Sequence, residues 1–509
     1  MAARNINNMI NICADGLIEV FSSNLTLSRD EIDQRIGAWV RTYTDDSAIG
    51  VMVLNTNYSV SYVESDVWDT AWRRKDGTPV SFDELDAIGH WSRYAVWAHD
   101  RGIDPFAIAM RHTREQGADV WFSVRMNDYH YLKYEPTSAS LWRQHPEFRI
   151  NDEATFDYSH PEVREYYKAY IVELCTRYDI KGIELDMLRG PLFFKDPITP
   201  EKTAILTDFL KEIRAAVDEV GRAKGTRFRI SARTYPHPEA ALAQGWDSVQ
   251  WVADGSVDVL TLSNFFIPTS YEAPVGEWER LIAERGVERN RYAINVASDF
   301  CVFCVPWNDP DVRYIKSNTE TLKGFAAYAF ASGADGIYGF NLNHRDYVHH
   351  LDTGLDADFR QFSTRDAAEA GTRSHILTFD ELLPAGGPAH LPIDLAAAQS
   401  VTLRLDTAGK PAVGGRYAVV IGTRDASARV SVAVNGVACA EGTPFSGPDH
   451  TEGLTNPPLV TELSEVARCV QRFELPDATV ALDGVNEFVV TAREAARLMW
   501  FSVRVENPD

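Results

Sequence analysis

The sequence predicts a (β/α)8 TIM barrel followed by a small C-terminal antiparallel β-sandwich. Eight short apolar runs alternate with amphipathic helical segments between residues 8 and about 345, a pattern typical of an α/β fold with a parallel sheet closed into a barrel. The connections that leave these runs are long, and those that enter them are short. After about residue 372 only strand-like runs remain. We therefore place the barrel at 1–372 and the sandwich at 373–509.

The individual elements follow from residue pattern and length. The predicted barrel strands are residues 9–15, 49–55, 119–125, 182–188, 228–234, 257–263, 292–298 and 336–342. Between them lie helical segments, of which the clearest opens with Thr199 and Pro200, an N-cap and first-turn signal. Within residues 398–507, Gly, Pro and Asp separate the runs "SVTLRL", "RYAVVIG", "ARVSVAVNG", "EFVVTA" and "MWFSVRVE". Short strands without helices are typical of a sandwich.

Charge and composition exclude several classes of partner. The net charge of -23 argues against a nucleic-acid partner and against an anionic membrane surface. No apolar run approaches the roughly 18 residues of a membrane span, and the N-terminal residues lack a signal-peptide pattern. Of the six cysteines only Cys301 and Cys304 have a metal-like spacing, and without a second pair we expect no zinc site. We expect a cytoplasmic protein, and a homo-oligomer is compatible with the sequence.

The fourth predicted strand, in "KGIELDMLRG", carries two acids. Glu184 and Asp186 are two residues apart, so in a strand they point to the same side. Like charges side by side in a core are unfavourable unless another group compensates or uses them. Because Asp186→Asn would relieve this repulsion, the sequence predicts that the substitution does not lower stability.

Most other strands also end with an inward polar side chain. Strand alternation places the following residues in the barrel: Asn11, Cys13 and Asp15 from strand one, Asn55 from two, Ser123, Arg125 and Asn127 from three, Ser231 and Arg233 from five, Thr261 and Ser263 from six, Asn295 and Asp299 from seven, and Asn341 and Asn343 from eight. A core built for stability alone carries Val, Ile and Leu there. The pattern therefore predicts an active site at the carboxyl ends of the strands. The alternative is that Glu184 and Asp186 only form ion pairs with Arg125 and Arg233.

Several motifs resemble one bacterial family. The segment "RYDIKGIELDMLRGPLFF" is similar to the "YDVDGIELDF" segment of the family-ten-like glycosyl hydrolases, and "ADVWFSVRMND", "WVADGSVDVL", "ASGADGIYGFN" and "LPAGGPAHLPIDL" also resemble that family. The resemblance covers nearly the whole chain. It implies a barrel that acts on glycosidic bonds of an oligo- or polysaccharide, with Glu184 and Asp186 as the family's acid pair. The chain departs from xylanases, which carry Asn-Glu at the end of strand four, and from chitinase-like barrels, because Leu188 stands where those carry Glu.

Glycoside cleavage requires two carboxyl groups that flank the bond. Glu184 and Asp186 share one strand, so a second strand must supply the partner. We assign Asp186 as nucleophile or base and Glu184 as a neighbour that raises its pKa or orients it. We assign Asp299 as the second carboxyl group that flanks the bond. Asp15 and Asp128 are the reserve choices.

Carbohydrate is the expected partner, and no cofactor is expected. The candidate substrate-binding residues are Arg125, Asn127, Asp128, Arg233, Asn264, Asn341, Asn343, Asp15, Trp68 and Trp307. Arg125 and Arg233 would keep a carboxylate ionised or bind an anionic sugar such as a uronate. Trp68 and Trp307 lie in predicted loops, where an aromatic ring either stacks on a sugar or packs within the loop.

Two other functions are compatible with the same barrel. A metal-dependent sugar isomerase or hydrolase would use an oxygen-rich or mixed site, for which Asp15, Glu184, Asp186, His130 and His237 are the candidates. Strand one lacks a His-x-His pair, and neither histidine has ligand spacing. A carbohydrate-binding protein without catalytic activity is the second alternative.

Overall fold

The computed structural model describes residues 4–85, 90–128, 130, 137–150, 155–265, 269–304, 314–344, 346–347, 355, 357–377, 390–425, 427–441, 467 and 469–508. Eight parallel strands close into a barrel, and two antiparallel sheets follow. The predicted (β/α)8 barrel with a C-terminal β-sandwich is therefore confirmed. In the described part of the chain, no helix has both the length and the hydropathy required to cross a bilayer.

The strands up to the end of the barrel are β1 Asn5–Ile12, β2 Ile49–Asn55, β3 Asp119–Arg125, β4 Gly182–Asp186, β5 Arg229–Thr234, β6 Val259–Leu262, β7 Ala293–Ser298, the hairpin strands β8 Cys301–Cys304 and β9 Tyr314–Lys316, and β10 Gly336–Phe340. Each predicted run overlaps a barrel strand, and these strands close the ring in the order β1-β10-β7-β6-β5-β4-β3-β2. Their outward side chains, such as Ile183 and Leu185 of β4, join one large apolar cluster with the surrounding helices.

The helices are α1 Ala14–Ser22, α2 Arg29–Thr44, α3 His90–Asp100, α4 Pro105–Glu115, α5 Ser140–Gln144, α6 Pro161–Arg177, α7 Pro200–Lys224, α8 Pro238–Ala243, α9 Ser248–Ala253, α10 Val275–Glu284, α11 Thr319–Ala331 and α12 Arg365–Glu369. The ends of α7 show how the sequence sets these bounds. The Thr199 hydroxyl accepts a hydrogen bond from the Lys202 amide, and Gly225 ends the helix at φ 66°, where glycine is unstrained.

The sandwich strands are β11 Thr372–Ile376, β12 Ile393–Leu395, β13 Ser400–Asp406, β14 Arg416–Thr423, β15 Val430–Val434, β16 Val437–Ala438, β17 Ala440–Glu441, β18 Cys469–Glu474, β19 Val485–Ala492 and β20 Ala496–Glu506. One sheet has the order β11-β20-β14-β18-β17, with β12 also paired to β20, and the other has the order β13-β19-β15-β16. Five of these ten strands match the predicted runs, and the sequence did not predict β11, β12, β16, β17 and β18. An ion pair of 3.0 Å between Arg504 of β20 and Glu320 of α11 joins the sandwich to the barrel.

The amino-terminal end of the barrel interior is filled by an apolar plug. Met9, Val51, Val53, Trp121 and Val259 are among the residues that pack together inside the barrel. Gly182 makes room for the Trp121 indole, because a Cβ atom at residue 182 would lie 2.4 Å from that ring. The polar side chains of the barrel therefore lie above this plug, toward the carboxyl ends of the strands.

Two details of the inward pattern differ from the sequence prediction. β1 ends at Ile12 and Cys13 is the N-cap of α1, so Asp15 lies in the first helical turn and not on strand one. On β10 the inward residues are Tyr338 and Phe340, which join the interior cluster. Asn341 and Asn343 follow the strand, and Asn341 has φ 53°. The predicted inward phase of strand eight was wrong.

Candidate active site

Strand register places each acid of β4 between two chemically similar neighbours. Glu184 lies beside Ser123 of β3 and Ser231 of β5, and Asp186 lies beside Arg125 of β3 and Arg233 of β5. Residues in register on parallel strands are about 4.8 Å apart and share a face of the sheet. Glu184 thus lies in a row of hydroxyl groups, and Asp186 lies in a row of arginines.

Asp186 forms a buried ion pair with Arg233. Its Oδ1 atom lies 2.8 Å from Arg233 Nη2 and accepts hydrogen bonds from Arg233 Nε at 2.9 Å and from the Leu188 amide at 3.0 Å. Both side chains are 1% exposed. The other oxygen, Oδ2, is enclosed and accepts no hydrogen bond from the described residues. Asp186 therefore has one oxygen fixed by donors and one that accepts no hydrogen bond from the described residues.

The surroundings of Arg233 hold its guanidinium group in place. Nη1 donates to the Ser263 hydroxyl at 2.9 Å, and the group lies 4.1 Å from the centroid of the Phe340 ring. A planar guanidinium between an acid and an aromatic face has little rotational freedom. Arg233 consequently orients the Asp186 carboxylate.

Glu184 is fully buried and uses one oxygen for both of its hydrogen bonds. Oε1 accepts from Asn11 Nδ2 at 2.9 Å and from the Tyr338 hydroxyl at 2.7 Å. Burial, and next the neighbouring charge of Asp186, raise the pKa of Glu184 well above its usual range, although Arg233 and the Tyr338 hydrogen bond act in the opposite direction. Because the donors occupy Oε1, the proton of the neutral form belongs on Oε2.

Asp299 follows the end of β7 and is also enclosed. Its Oδ1 atom accepts a hydrogen bond of 2.7 Å from the Phe300 amide. Its backbone oxygen accepts from the hydroxyls of Thr269 at 3.1 Å and Ser317 at 2.9 Å. Burial raises the pKa of Asp299 to about 7, against the opposing charges of Arg189 and Arg233. Asp299 thus keeps its proton to a higher pH than an ordinary aspartate does.

Arg125 pairs with Asp128 and not with the acids of β4. Its Nη1 atom lies 2.9 Å from Asp128 Oδ2, and the Asp128 carboxylate also contacts His130 Nδ1 at 3.0 Å. Burial would raise the pKa of Asp128, but the charges of His130 and Arg125 lower it to about 2. The guanidinium group of Arg125 lies 4.2 Å from the centroid of the Tyr58 ring. The alternative in which both arginines pair with Glu184 and Asp186 therefore holds only for Arg233 and Asp186.

Asn127 joins two of the loops around the barrel mouth. Its amide group donates to the backbone oxygens of Phe156 at 2.9 Å and Leu192 at 2.6 Å, and its side-chain oxygen accepts from the Phe156 amide at 3.0 Å. These contacts use the polar atoms of the side chain for loop structure. In this conformation Asn127 has a positioning role.

Four further predicted residues lie near the mouth. Asp15, Asn264 and Asn343 are buried, and Asn341 is half-buried. The Cys13 thiol donates a hydrogen bond of 2.7 Å to the side-chain oxygen of Asn341. That thiol also accepts from Arg125 Nη2 at 2.9 Å. Asn341 is consequently linked through Cys13 to the Arg125–Asp128 pair.

The tryptophan predictions have different outcomes. Trp68 is 2% exposed and stacks on Tyr170 of α6 at 4.1 Å and on Tyr166 at 4.6 Å. Of the two alternatives for residue 68, the structure has the packed ring and not the exposed one, because the tyrosines of α6 bury the indole. Trp307 lies outside the described residues, so its role stays a prediction.

Sequence reasoning missed Tyr338, Phe340 and Arg189. Tyr338 and Phe340 were assigned outward because the phase of strand eight was set from its asparagines. The alternation Gly336, Tyr338, Phe340 was the available signal, since these residues continue the inward side of the strand. Arg189 follows β4 by three residues and carries no periodic signal, so only the folded loop shows that it lies beside the site.

The metal-dependent alternative requires a cluster of ligands. Within the described residues, no group of three His, Cys, Asp or Glu side chains is placed to hold a metal ion. His130 contacts Asp128. His237 is the N-cap of α8 and lies 3.8 Å from Glu239. The two candidate histidines therefore have separate acidic neighbours.

No protein-family model matches the chain, and no curated protein matches its sequence. The resemblance to the family-ten-like glycosyl hydrolases accordingly stays a prediction.

Solved structures give fold-level similarities. A cycloisomaltooligosaccharide glucanotransferase of Paenibacillus sp. has 11% identity and a TM-score of 0.34, with 98% of this chain and 57% of that chain covered. Alpha-L-fucosidase isoenzyme 2 of Paenibacillus thiaminolyticus has 13% identity and a TM-score of 0.41, with 73% and 51% covered. The chain thus spans about half the length of these two proteins. The PgaB glycoside hydrolase domain of Bordetella bronchiseptica has 11% identity and a TM-score of 0.41, with 70% and 99% covered. At these values the similarities assign no residue roles.

Proposed function

We propose that this protein is a glycoside hydrolase that cleaves a glycosidic bond of an oligo- or polysaccharide with Asp186 and Asp299. The observation that carries the proposal is the contrast between two carboxyl groups at the same end of the barrel. Asp186 is paired with Arg233, whereas burial raises the pKa of Asp299 to about 7. Glycoside cleavage needs such a pair, with one carboxylate and one protonated acid.

In this proposal Asp186 supplies the nucleophile or the general base. Arg233 and the Leu188 amide hold Oδ1, so Oδ2, which carries no hydrogen bond within the described residues, is the proposed reacting oxygen. This oxygen attacks the anomeric carbon directly or removes a proton from an attacking water. Arg233 keeps the carboxylate charged and oriented but does not itself react.

Asp299 is the proposed general acid. Its proton passes to the glycosidic oxygen as the bond to the leaving group breaks. The raised pKa suits this role, because a group with a pKa near the working pH both holds and releases its proton. Glu184 acts through Asp186, since its neutral form removes a second negative charge from the buried pair.

The dependence of rate on the leaving group tests the roles directly. We would assay a panel of dinitrophenyl and methylumbelliferyl glycosides, together with oligosaccharides, with the parent protein, Asp186→Asn and Asp299→Ala. If Asp299 is the acid, Asp299→Ala retains much more activity on the dinitrophenyl glycoside, whose leaving group needs no proton, than on the oligosaccharide. Asp186→Asn loses activity on both. The anomer of the first product, measured by NMR, then distinguishes nucleophile from base.

Asp208→Asn on α7 is the matched control, because this acid is 71% exposed and forms a surface ion pair of 3.2 Å with a neighbouring lysine. Equal losses of Asp299→Ala on all leaving groups would contradict the acid assignment. Sugar binding without hydrolysis would favour the catalytically inactive binding protein. Loss of activity with a chelator and its return with a divalent cation would favour the metal-dependent alternative.

A further inference from the structure

Three arginines lie at the carboxyl ends of the barrel strands, and their surroundings differ. Arg125 is paired with Asp128 and Arg233 with Asp186, and both side chains are buried. Arg189, in the segment that follows β4, is half-buried. It contacts His130 Nε2 at 3.4 Å, and its guanidinium group lies 5.4 Å from the centroid of the Phe340 ring.

Among the residues that the structure describes, Arg189 has no acidic partner within ion-pair distance. Its Nε atom is enclosed and donates no hydrogen bond within that part of the chain. A guanidinium group that is partly removed from water is stabilised by an anionic partner, which the described residues do not supply within ion-pair distance. The nearby acids do not fill this role, because Asp128 and Asp186 each contact another arginine.

The position of Arg189 is central to the proposed site. Its charge acts on both Asp299 and Asp128, which follow different strands of the barrel. Its ring neighbour Phe340 also contacts Arg233, the partner of Asp186. A substrate group that reached Arg189 would therefore lie next to the bond that Asp186 and Asp299 are proposed to cleave.

We infer that Arg189 determines specificity by binding an anionic group, a carboxylate or a sulfate, on a sugar of the substrate. The inference rests on the proposed function and narrows its substrate class to acidic saccharides. A guanidinium group matches the two oxygens of either anion through parallel hydrogen bonds. Arg125 and Arg233, the sequence-based candidates for this role, already contact acids of the protein.

The test is a binding comparison with matched sugars. The probes are methyl glucuronide and methyl glucoside, methyl galacturonide and methyl galactoside, and the 6-sulfate of methyl galactoside, titrated by calorimetry into the parent protein. We expect at least one anionic probe to bind more tightly than its neutral counterpart. Arg189→Met should weaken that binding about 10- to 100-fold, which is the size expected for hydrogen bonds to a charged group. Arg189→Lys should weaken it less, and comparison of the uronides with the sulfate identifies the anion.

Two controls keep the result specific. Arg222→Met on α7 removes an exposed arginine and should leave the preference unchanged. Added ethylguanidine should restore part of the binding to Arg189→Ala, which a loss of folding would not allow. The inference is overturned if no anionic probe binds more tightly than its neutral partner, or if Arg189→Met leaves the preference intact.

Parallel hydrolysis assays separate this inference from the proposed function. Cleavage of neutral glycosides alone, with a selectivity that Arg189→Met does not change, overturns the inference and supports the proposed function. Binding of an anionic sugar that depends on Arg189, without hydrolysis of any glycoside, supports the binding role and overturns the proposed function.

Discussion

The barrel interior and the core of the β-sandwich are both built from alternating strands, but the inward side chains of the two regions differ in kind. In the sandwich most of them are apolar, as with Val419, Val432, Phe488 and Val503, all of which are buried, and the buried Asn486 is hydrogen-bonded to Thr407. In the barrel, the row above the Trp121 plug includes serines, arginines and two acids. Several of their polar atoms accept or donate no hydrogen bond within the described residues.

This difference indicates that the sandwich core serves stability and that the barrel interior holds the candidate site. Apolar cores stabilise a fold in proportion to the area that they bury, whereas buried polar groups without partners destabilise it. A chain that builds an apolar core in one region has the means to build one in the other. The polar barrel interior is thus best explained by chemistry carried out there, and substitutions in the two regions should have opposite signatures.

The largest expected effect is that of Asp186→Asn. If Asp186 is the nucleophile or base, kcat should fall by a factor on the order of 1,000 or more. Stability should fall too, because the substitution leaves Arg233 buried without its counter-charge. This reverses the expectation from sequence, which considered only repulsion by Glu184. Activity assays and thermal unfolding measure the two effects. An unchanged kcat together with a lower melting temperature would make the acid purely structural.

Phe488→Ala in the sandwich should give the opposite signature. The ring is fully buried and packs edge-on against Phe501 at 5.1 Å. Its loss should lower the free energy of unfolding by about 3 to 5 kcal/mol, and the folded protein should retain its kcat. Chemical denaturation and steady-state kinetics below the transition measure this. A matched loss of kcat would show that the sandwich contributes to the site.

Asp299→Asn should change how stability depends on pH. The folded protein holds the pKa of Asp299 at about 7, above the value of about 3.9 in an unfolded chain. Between these values the folded state binds more protons, so stability falls as pH rises from about 4 to 7. The substitution should flatten this decline, which is on the order of a few kcal/mol. Melting temperatures across that pH range test this, and Asp208→Asn should leave the slope unchanged.

The smallest expected effect is that of Tyr338→Phe. The hydroxyl donates to Glu184 at 2.7 Å and so favours its charged form. Its removal should raise the pKa of Glu184 further, by roughly half a unit to one unit, since one hydrogen bond contributes about 1 kcal/mol. The limb of the pH–rate profile that reflects the titration of Glu184 should move to higher pH. Stability should change little, and an unmoved profile would show that Glu184 does not influence catalysis.

Local pattern was sufficient for the strands and for the acid pair, because period-two alternation in "GIELDML" depends only on neighbouring residues. It was insufficient where tertiary packing decides. The pairing of Asp186 with Arg233 depends on the register of β4 and β5. The burial of Trp68 depends on tyrosines about 100 residues away. The phase of β10 was assigned from Asn341 and Asn343, which lie beyond the end of the strand.

The two hydrogen bonds to Glu184 have a consequence for assembly. Asn11 and Tyr338 belong to β1 and β10, which are neighbours in the sheet, whereas β4 lies on the far side of the ring of strands. The carboxyl group therefore bridges the diameter of the barrel and ties the first and last strands to the fourth. During synthesis its second donor arrives only after more than 150 further residues have been added. If the site is catalytic as proposed, its activity reports ring closure, and fragments cut between β4 and β10 should regain activity only when they reassemble.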